Sequence, residues 1–216
     1  FYGYLWCILQ IQHYACLPSL RQSFFMSYCI NPECHYQSNE NFCPICGTTL
    51  QIKGRYRLIR PLRELNKSPY IEVFEVEDKG ERKVIKILKS KDKTVLRLFR
   101  REAEVLKTIA HQGIPKIDPQ GYFIFNEIPK SERQLHCLVI EKIEGQDLEQ
   151  FLQKHKPISE REAIDWLKQL TNILDRVHQK KLFHRDIKPA NIMLKPDGKL
   201  VLIDFGAARW VTETVV

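Results

Sequence analysis

The 216-residue sequence has no run of about 18 apolar residues, so we expect no membrane-spanning helix. It also has no block of about five like charges, although 34 Lys and Arg against 26 Asp and Glu give a net charge of +8. Because the basic residues are scattered among acidic ones, we expect a mixed, solvated surface and no nucleic-acid partner. Apolar residues at 44% and charged residues at 28% exclude a collagen-like or wholly disordered chain.

The sequence does not have the even number of cysteines that is typical of a disulfide framework, since it holds seven. No secretion signal is recognisable either. Both observations favour a reducing compartment, and we expect the protein in the cytoplasm.

Charge is almost absent from residues 1–25, where Arg21 is the single charged side chain. The basic start and the small-residue cleavage site of a signal peptide are missing. A membrane-interface helix would need Lys or Arg on its polar face. Because Met26 opens a segment of different character, we expect residues 1–25 to be upstream translated sequence that is not native to the functional protein.

Four cysteines form a compact cluster with the spacing C-x4-C, eight residues and C-x2-C: Cys29, Cys34, Cys43 and Cys46. Four thiolates suit a closed, tetrahedral, structural zinc site. So short a segment has few apolar groups, and its folding should be coupled to metal binding. We therefore predict a zinc-ribbon-like module over residues 26–50, with His35 in place of Cys34, or free thiols in a linker, as alternatives.

Hydrophobic patterning over the rest of the chain predicts an α+β fold in two lobes. Alternation of apolar residues places Val84, Lys86 and Leu88 on one face of a strand, with Ile85 and Ile87 on the other. Ser159 and Glu162 form a capping box at the start of a long helix. The predicted strands are 56–62, 71–77, 82–88, 121–125, 135–141, 192–195 and 200–203, and the predicted helices are 94–109 and 159–180.

Four motifs carry the chemistry: Lys86 in a predicted strand, Glu102 in a predicted helix, HRDIKPAN at 184–191 and DFG at 204–206. Their identity and order resemble a eukaryotic-like serine/threonine protein kinase over roughly residues 56–216. The four-cysteine module ahead of this region resembles a bacterial, especially cyanobacterial, arrangement. The resemblance implies a protein-kinase-like fold, with a complete small lobe and a partial large lobe.

The resemblance also implies ATP and Mg²⁺ as cofactors and a protein Ser or Thr hydroxyl as acceptor, because phosphoryl transfer depends on positioning and charge neutralisation. Glu104 is a rival for Glu102, but the two apolar residues that follow the family's glutamate fit Glu102 better. The implied roles are phosphate binding by Lys86, its orientation by Glu102, proton acceptance by Asp186, phosphoryl stabilisation by Lys188 and magnesium binding by Asn191 and Asp204.

A nucleotide pocket follows from the same resemblance. His184 resembles the family histidine that supports the catalytic loop and is not a base. The residues implied for the pocket are Val73, Val84 and Met193 around the adenine ring, Ile140 as gatekeeper, Glu141 and Ile143 at the hinge, and Asp147 near the ribose.

The glycine-rich loop of the family is missing, since its three glycine positions fall on Asn66, Ser68 and Ile71. Glycine lets backbone N–H groups approach phosphate closely. Asn tolerates a positive φ and Ser is small, but Ile does neither, and Pro69 lacks a donor. We therefore expect weakened ATP affinity or altered nucleotide geometry.

The sequence runs only ten residues past Gly206, so we expect a kinase domain that is incomplete at its C-terminus. The helix predicted at 159–180 should then expose part of its apolar face. A degenerate pseudokinase or truncated product, acting as a nucleotide-binding or zinc-ribbon interaction module, is the alternative. A small-molecule phosphotransferase is disfavoured by HRDIKPAN.

Overall fold

The computed structural model describes residues 26–155 and 157–211; the segment 1–25, interpreted above as upstream sequence, lies outside the described residues. The elements are, in chain order, β1 (Ser27–Tyr28), β2 (Gln37–Ser38), β3 (Arg57–Pro61), β4 (Ile71–Asp78), β5 (Glu81–Leu88), α1 (Lys93–Thr108), β6 (Ile117–Phe125), β7 (Leu135–Glu141), β8 (Gln146–Asp147), α2 (Leu148–Lys154), α3 (Glu160–Gln179), β9 (Leu182–Phe183), a 3-10 turn (Pro189–Asn191), β10 (Ile192–Leu194), β11 (Leu200–Leu202) and β12 (Arg209–Trp210). The α+β prediction is confirmed.

The small lobe is built on an antiparallel seven-stranded sheet in the order β2-β1-β3-β4-β5-β7-β6. The two strands at one edge, β2 and β1, come from the cysteine-rich segment. Tyr28 of β1 pairs with Leu58 of β3, so this segment extends the same sheet instead of standing apart from it. The cysteine module and the kinase-like small lobe therefore share one hydrogen-bonded framework.

Strand β5 shows how the alternation of side chains divides the core. Val84 and Leu88 pack with α1 and the large-lobe residues, on the face that also carries Lys86. Ile85 and Ile87 lie on the opposite face, in a second cluster completed by residues of the cysteine-rich segment and its linker. The predicted alternation is confirmed, and the module covers the outer face of the sheet.

Helix α1 begins after Asp92, whose carboxylate accepts hydrogen bonds from two backbone N–H groups of the first turn. Its buried face holds apolar side chains and one carboxylate, Glu102. The helix thus carries a charged group into the cleft between the lobes, on the same side of the sheet as Lys86.

The large-lobe portion consists of α2, α3 and the β10–β11 hairpin, with β8 paired to β10. The capping box of Ser159 and Glu162 is present at the start of α3. Trp166, Ile173 and Val177 are buried, whereas Ile164 and Leu167 are 45% and 65% exposed. The expectation of a partly exposed apolar face on α3 is thus met by the last two.

Helix α2 was not predicted from the sequence, and strand β6 begins at Ile117, earlier than expected. The helix has only 7 residues, too few to give a clear helical period. The sequence feature that indicates this helix is Asp147, whose carboxylate accepts a hydrogen bond from the Gln150 N–H and caps the first turn. Among the described residues, none of the helices combines the length and apolarity that crossing a membrane requires.

Candidate active site

A buried ion pair joins the two halves of the small lobe. Lys86 Nζ donates to Glu102 Oε1 at 2.6 Å, from β5 to α1. Glu104 points to solvent instead, so the geometry selects Glu102 as the partner of Lys86. Burial alone would lower the pKa of Lys86, but the charges of Glu102 and Asp204 outweigh it and raise that pKa. The lysine is therefore a fixed cation in the cleft.

Asp204 lies opposite this pair, with its Oδ1 atom 3.7 Å from Lys86 Nζ. Its backbone has a φ of 66°, a left-handed conformation that turns the chain sharply after β11. The Gly206 N–H donates to Asp204 Oδ1 at 3.4 Å. The charge of Lys86 lowers the pKa of Asp204 despite its burial. The carboxylate is thus charged and available to a cation at neutral pH.

The loop at 184–191 is organised around a buried histidine. His184 Nε2 lies 3.1 Å from the Ile203 carbonyl oxygen, while the Asp186 N–H donates to His184 Nδ1 at 3.3 Å. These two contacts assign the proton to Nε2, since Nδ1 accepts. Burial lowers the pKa of His184, which keeps the ring neutral. His184 therefore connects the loop to the chain just before Asp204, as its predicted supporting role requires.

Asp186, Lys188 and Asn191 contact one another directly. Lys188 Nζ donates to Asp186 Oδ2 at 2.8 Å, and Asn191 Nδ2 donates to the same oxygen at 2.8 Å. The hydrogen bond from Lys188 is the main cause of a lowered pKa for Asp186. Because the Asn191 amide nitrogen is occupied, its Oδ1 atom is the one that could bind a cation.

A cavity of about 360 Å³ lies between the lobes, a size suited to a small ligand. It brings together nine of the residues implied by the resemblance: Val73, Val84, Lys86, Ile140, Glu141, Ile143, Asp147, Met193 and Asp204. Asn191 does not line it, but the adjacent Ala190 does. A larger hollow of about 1080 Å³ beside Trp166 contains none of the predicted site residues.

Sequence reasoning missed several residues that line this cavity, among them Leu62, Arg63, Ala190 and Ile203. Ala190 lies within the HRDIKPAN motif and Ile203 precedes DFG, so their position could have been inferred. Leu62 and Arg63 lie just after β3, where no motif points to them. Asp147 lines the cavity as predicted, but its carboxylate also accepts from the Gln150 N–H at 2.9 Å.

The loop between β3 and β4 contains no glycine, and its first two residues, Leu62 and Arg63, line the cavity. Asn66 adopts a φ of 62°, the left-handed conformation that glycine would otherwise supply. Ser68 Oγ accepts hydrogen bonds from the N–H groups of Tyr70 and Ile71. Ile71 is the first residue of β4 and pairs with Leu88, so its backbone follows a strand. Of the three missing glycines, only the first is replaced by a residue with glycine-like backbone geometry.

The four clustered cysteines converge on one point. Their Sγ atoms lie within 4.8 Å of one another, with Cys29–Cys46 at 3.5 Å and Cys34–Cys43 at 3.6 Å. Zn–S bonds of about 2.3 Å in a tetrahedron put sulfurs about 3.8 Å apart, so this set fits zinc. These separations are far beyond a disulfide bond, at about 2.05 Å.

The thiols of the cluster differ in pKa, because burial raises the pKa of Cys29 and raises that of Cys34 to about 11. Burial tends to raise the pKa of Cys46, but hydrogen bonds from Thr48 outweigh it and lower the pKa to about 6. A thiolate is the form that binds zinc. His35 lies outside the cluster, because its Nε2 atom is 2.8 Å from Glu72 Oε2.

The fold and the cleft together define a kinase-type phosphotransferase scaffold. The Lys86–Glu102 ion pair lies beneath the sheet of the small lobe, and two loops that carry the carboxylates of Asp186 and Asp204 face it. The protein kinase domain model matches residues 69–215. The chain therefore belongs to the protein kinase family.

Several bacterial kinases are similar to this chain. Serine/threonine-protein kinase B of Synechocystis is 34% identical over 206 residues, covering 88% of this chain and 34% of its own length. Kinase F of the same organism is 43% identical over 125 residues, covering 56% and 25%. PknA of Mycobacterium tuberculosis is 34% identical over 178 residues, covering 80% and 39%. The chain thus spans about a quarter to two fifths of the length of these relatives.

Proposed function

We propose that this chain carries the nucleotide-binding and catalytic centre of a serine/threonine protein kinase, which transfers the γ-phosphoryl group of ATP to a protein hydroxyl. The observation that carries the proposal is the convergence of Lys86, Asp204 and the Asp186 loop on one cleft between two lobes. Similarity to relatives named serine/threonine-protein kinase supports the acceptor class.

The residues present fit ATP and Mg²⁺. Val73, Val84 and Met193 supply apolar walls to the cavity for a planar base, and Lys86 supplies a cation for the phosphates. Asp204 and the Oδ1 atom of Asn191 are hard oxygen ligands of the kind that Mg²⁺ prefers. When bound, Mg²⁺ neutralises charge on the phosphate oxygens and orients them.

Asp186 would accept the proton of the substrate hydroxyl. Its pKa is lowered by Lys188, so the carboxylate is charged at neutral pH and can orient the hydroxyl before transfer. Lys188, half exposed beside it, would neutralise the transferring phosphoryl group. Glu102 holds Lys86 in place, so the cation need not reorganise during the reaction.

We further propose that the four cysteines bind a structural zinc ion. All four protein positions of the tetrahedron are filled by sulfur, so no position is open for catalysis. The described cysteines, including Cys137, are free thiols, which supports a reducing compartment such as the cytoplasm.

The test compares the wild-type chain with Asp186→Asn in the transfer of labelled phosphate from ATP to a Ser/Thr peptide library. We expect the variant to lose about 100-fold or more of the rate, since a positioned base contributes that much. The affinity for ATP should change little, because Asp186 would contact the acceptor hydroxyl and not the adenine ring.

Asp175→Asn is the matched control, because Asp175 is exposed on α3 and its described hydrogen-bond partner is Gln179. Equal rates for the wild type and Asp186→Asn would contradict the catalytic assignment. Nucleotide binding without any transfer by the wild type would favour the pseudokinase instead.

A further inference from the structure

The cysteine module contacts the kinase small lobe on the strand that roofs the cleft. Glu72, in β4, lies one residue before the cavity-lining Val73 but points to the opposite face of the sheet. Its side chain is 4% exposed and accepts from His35 Nε2 at 2.8 Å. His35 directly follows Cys34, a predicted metal ligand. The hydrogen bond therefore links the cysteine module to strand β4 above the cleft.

The same carboxylate also binds Lys89. Lys89 Nζ donates to Glu72 Oε1 at 2.9 Å and also to Asn66 Oδ1 at 3.3 Å. Asn66 is the loop residue with the positive φ. The Lys89 N–H donates to the Tyr70 carbonyl oxygen at 2.7 Å, so Lys89 contacts the loop at two points. We name His35, Glu72, Lys89 and Asn66 the loop brace.

A second line of contacts runs parallel to the first. Arg133 Nη1 donates to Glu33 Oε1 at 2.7 Å, and Arg133 Nη2 donates to the Lys89 carbonyl oxygen at 3.1 Å. Glu33 lies in the module, one residue before Cys34. Lys89 is therefore linked to the module through its side chain and through its backbone.

We propose that Glu72 is a positioning residue for nucleotide binding, which transmits the fold of the cysteine module through the loop brace to the glycine-free loop above the cleft. A loop without glycine cannot rely on close backbone approach to phosphate, so its position depends on what holds it from outside. His35 and Lys89 share one buried carboxylate, and loss of its charge leaves the Lys89 ammonium without its partner. That the loop covers phosphates rests on the proposed function.

Glu72→Gln is the first test, because it removes the charge while keeping the shape of the side chain. We expect faster amide hydrogen exchange at 66–71 in the nucleotide-free chain, and a loss of ATP affinity on the order of tenfold. If transfer is measurable, the KM for ATP should rise while kcat at saturating ATP stays unchanged. Lys89→Arg, which keeps the charge, should behave close to the wild type.

His35→Asn tests the brace from the module side, in case Glu72→Gln fails to fold. Asn tolerates the φ of 50° at this position but is too short to reach Glu72. The matched control is Arg57→Gln, since Arg57 also contacts the module, at the Glu40 carbonyl and Asn41, but away from the loop. The control should change neither exchange at 66–71 nor ATP affinity.

Wild-type exchange at 66–71 in both Glu72→Gln and His35→Asn would overturn the proposal. Faster exchange spread evenly over the whole sheet would also overturn it, because that result indicates general destabilisation. If no variant or wild-type chain binds ATP, the proposed function fails, whereas the exchange measurement still decides the role of the brace.

Discussion

The two sides of the cleft are held by different means. On the lower side, the loop at 184–191 and Asp204 are held by contacts among motif residues and their neighbours, such as Asn191 with Asp186 and His184 with Ile203. On the upper side, the loop at 62–70 has hydrogen bonds of its own at Ser68 and is also linked to the cysteine module through Lys89. Below the cleft, the site residues and their neighbours hold one another in position. Above the cleft, the position of the loop depends on residues that are distant in the sequence.

The difference gives a physical reason why the upper loop can lack the glycines of the family. Where charged side chains hold each other, each residue type is dictated by its neighbours, and a change removes a partner from a buried group. Where a loop is held from behind, its own residues are less restricted. The loop can then keep its position with Asn66, Ser68 and Ile71 at the three glycine positions of the family.

The largest expected effect concerns the ion pair between motif residues of the small lobe. Glu102→Gln should lower phosphate transfer on the order of 100-fold, since a lysine displaced by about an ångström loses its alignment with the phosphates. Glu104→Gln, two residues away on the exposed face of α1, is the control and should keep the wild-type rate. Similar rates in both variants would show that the ion pair with Lys86 is not needed.

Much of the motif chemistry on both sides of the cleft could be predicted from the sequence. Lys86, Glu102 and Asp204 occur in short motifs with a recognisable order, and strand alternation alone placed Lys86 on the face opposite to Ile85 and Ile87. The long helix was also predicted with its start, because Ser159 and Glu162 form a local capping box. These features depend on residues near one another in the chain.

The upper side could not be predicted in the same way. Glu72 is separated by 37 residues from His35, and nothing in the sequence pairs them. Arg63 lines the cleft without any motif. In the large lobe, α2 is likewise too short to show a helical period. The extension of the sheet by Tyr28 depends on tertiary pairing, which no local pattern reports. Contacts between segments that are distant in the sequence can be identified only from the structure.

A smaller effect should follow from damage to the cysteine module. Cys43→Ser removes a ligand, so we expect loss of the one zinc ion per chain and faster hydrogen exchange over 26–52. ATP affinity should fall on the order of tenfold through the loop brace, while exchange at Asn191 on the lower side stays unchanged.

Cys137→Ala is the control for the cysteine change, because Cys137 is buried in the sheet outside the four-cysteine cluster. It should keep its zinc. Metal analysis that finds no zinc in reduced wild-type protein would contradict the metal assignment. Wild-type ATP affinity in a zinc-free Cys43→Ser chain would instead show that the upper side does not depend on the module.

The smallest effect concerns a single backbone angle on the upper side. Asn66→Val should weaken ATP binding about fivefold, because a β-branched residue at a φ of 62° costs about 1 kcal/mol. Asn66→Gly loses the hydrogen bond from Lys89 Nζ but accepts the angle, and the Lys89 N–H still donates to the Tyr70 carbonyl oxygen, so its affinity should stay within about twofold of the wild type. Titrations of the two variants side by side separate backbone geometry from side-chain contact. A fivefold loss in Asn66→Gly as well would assign the effect to Lys89 and not to the positive φ.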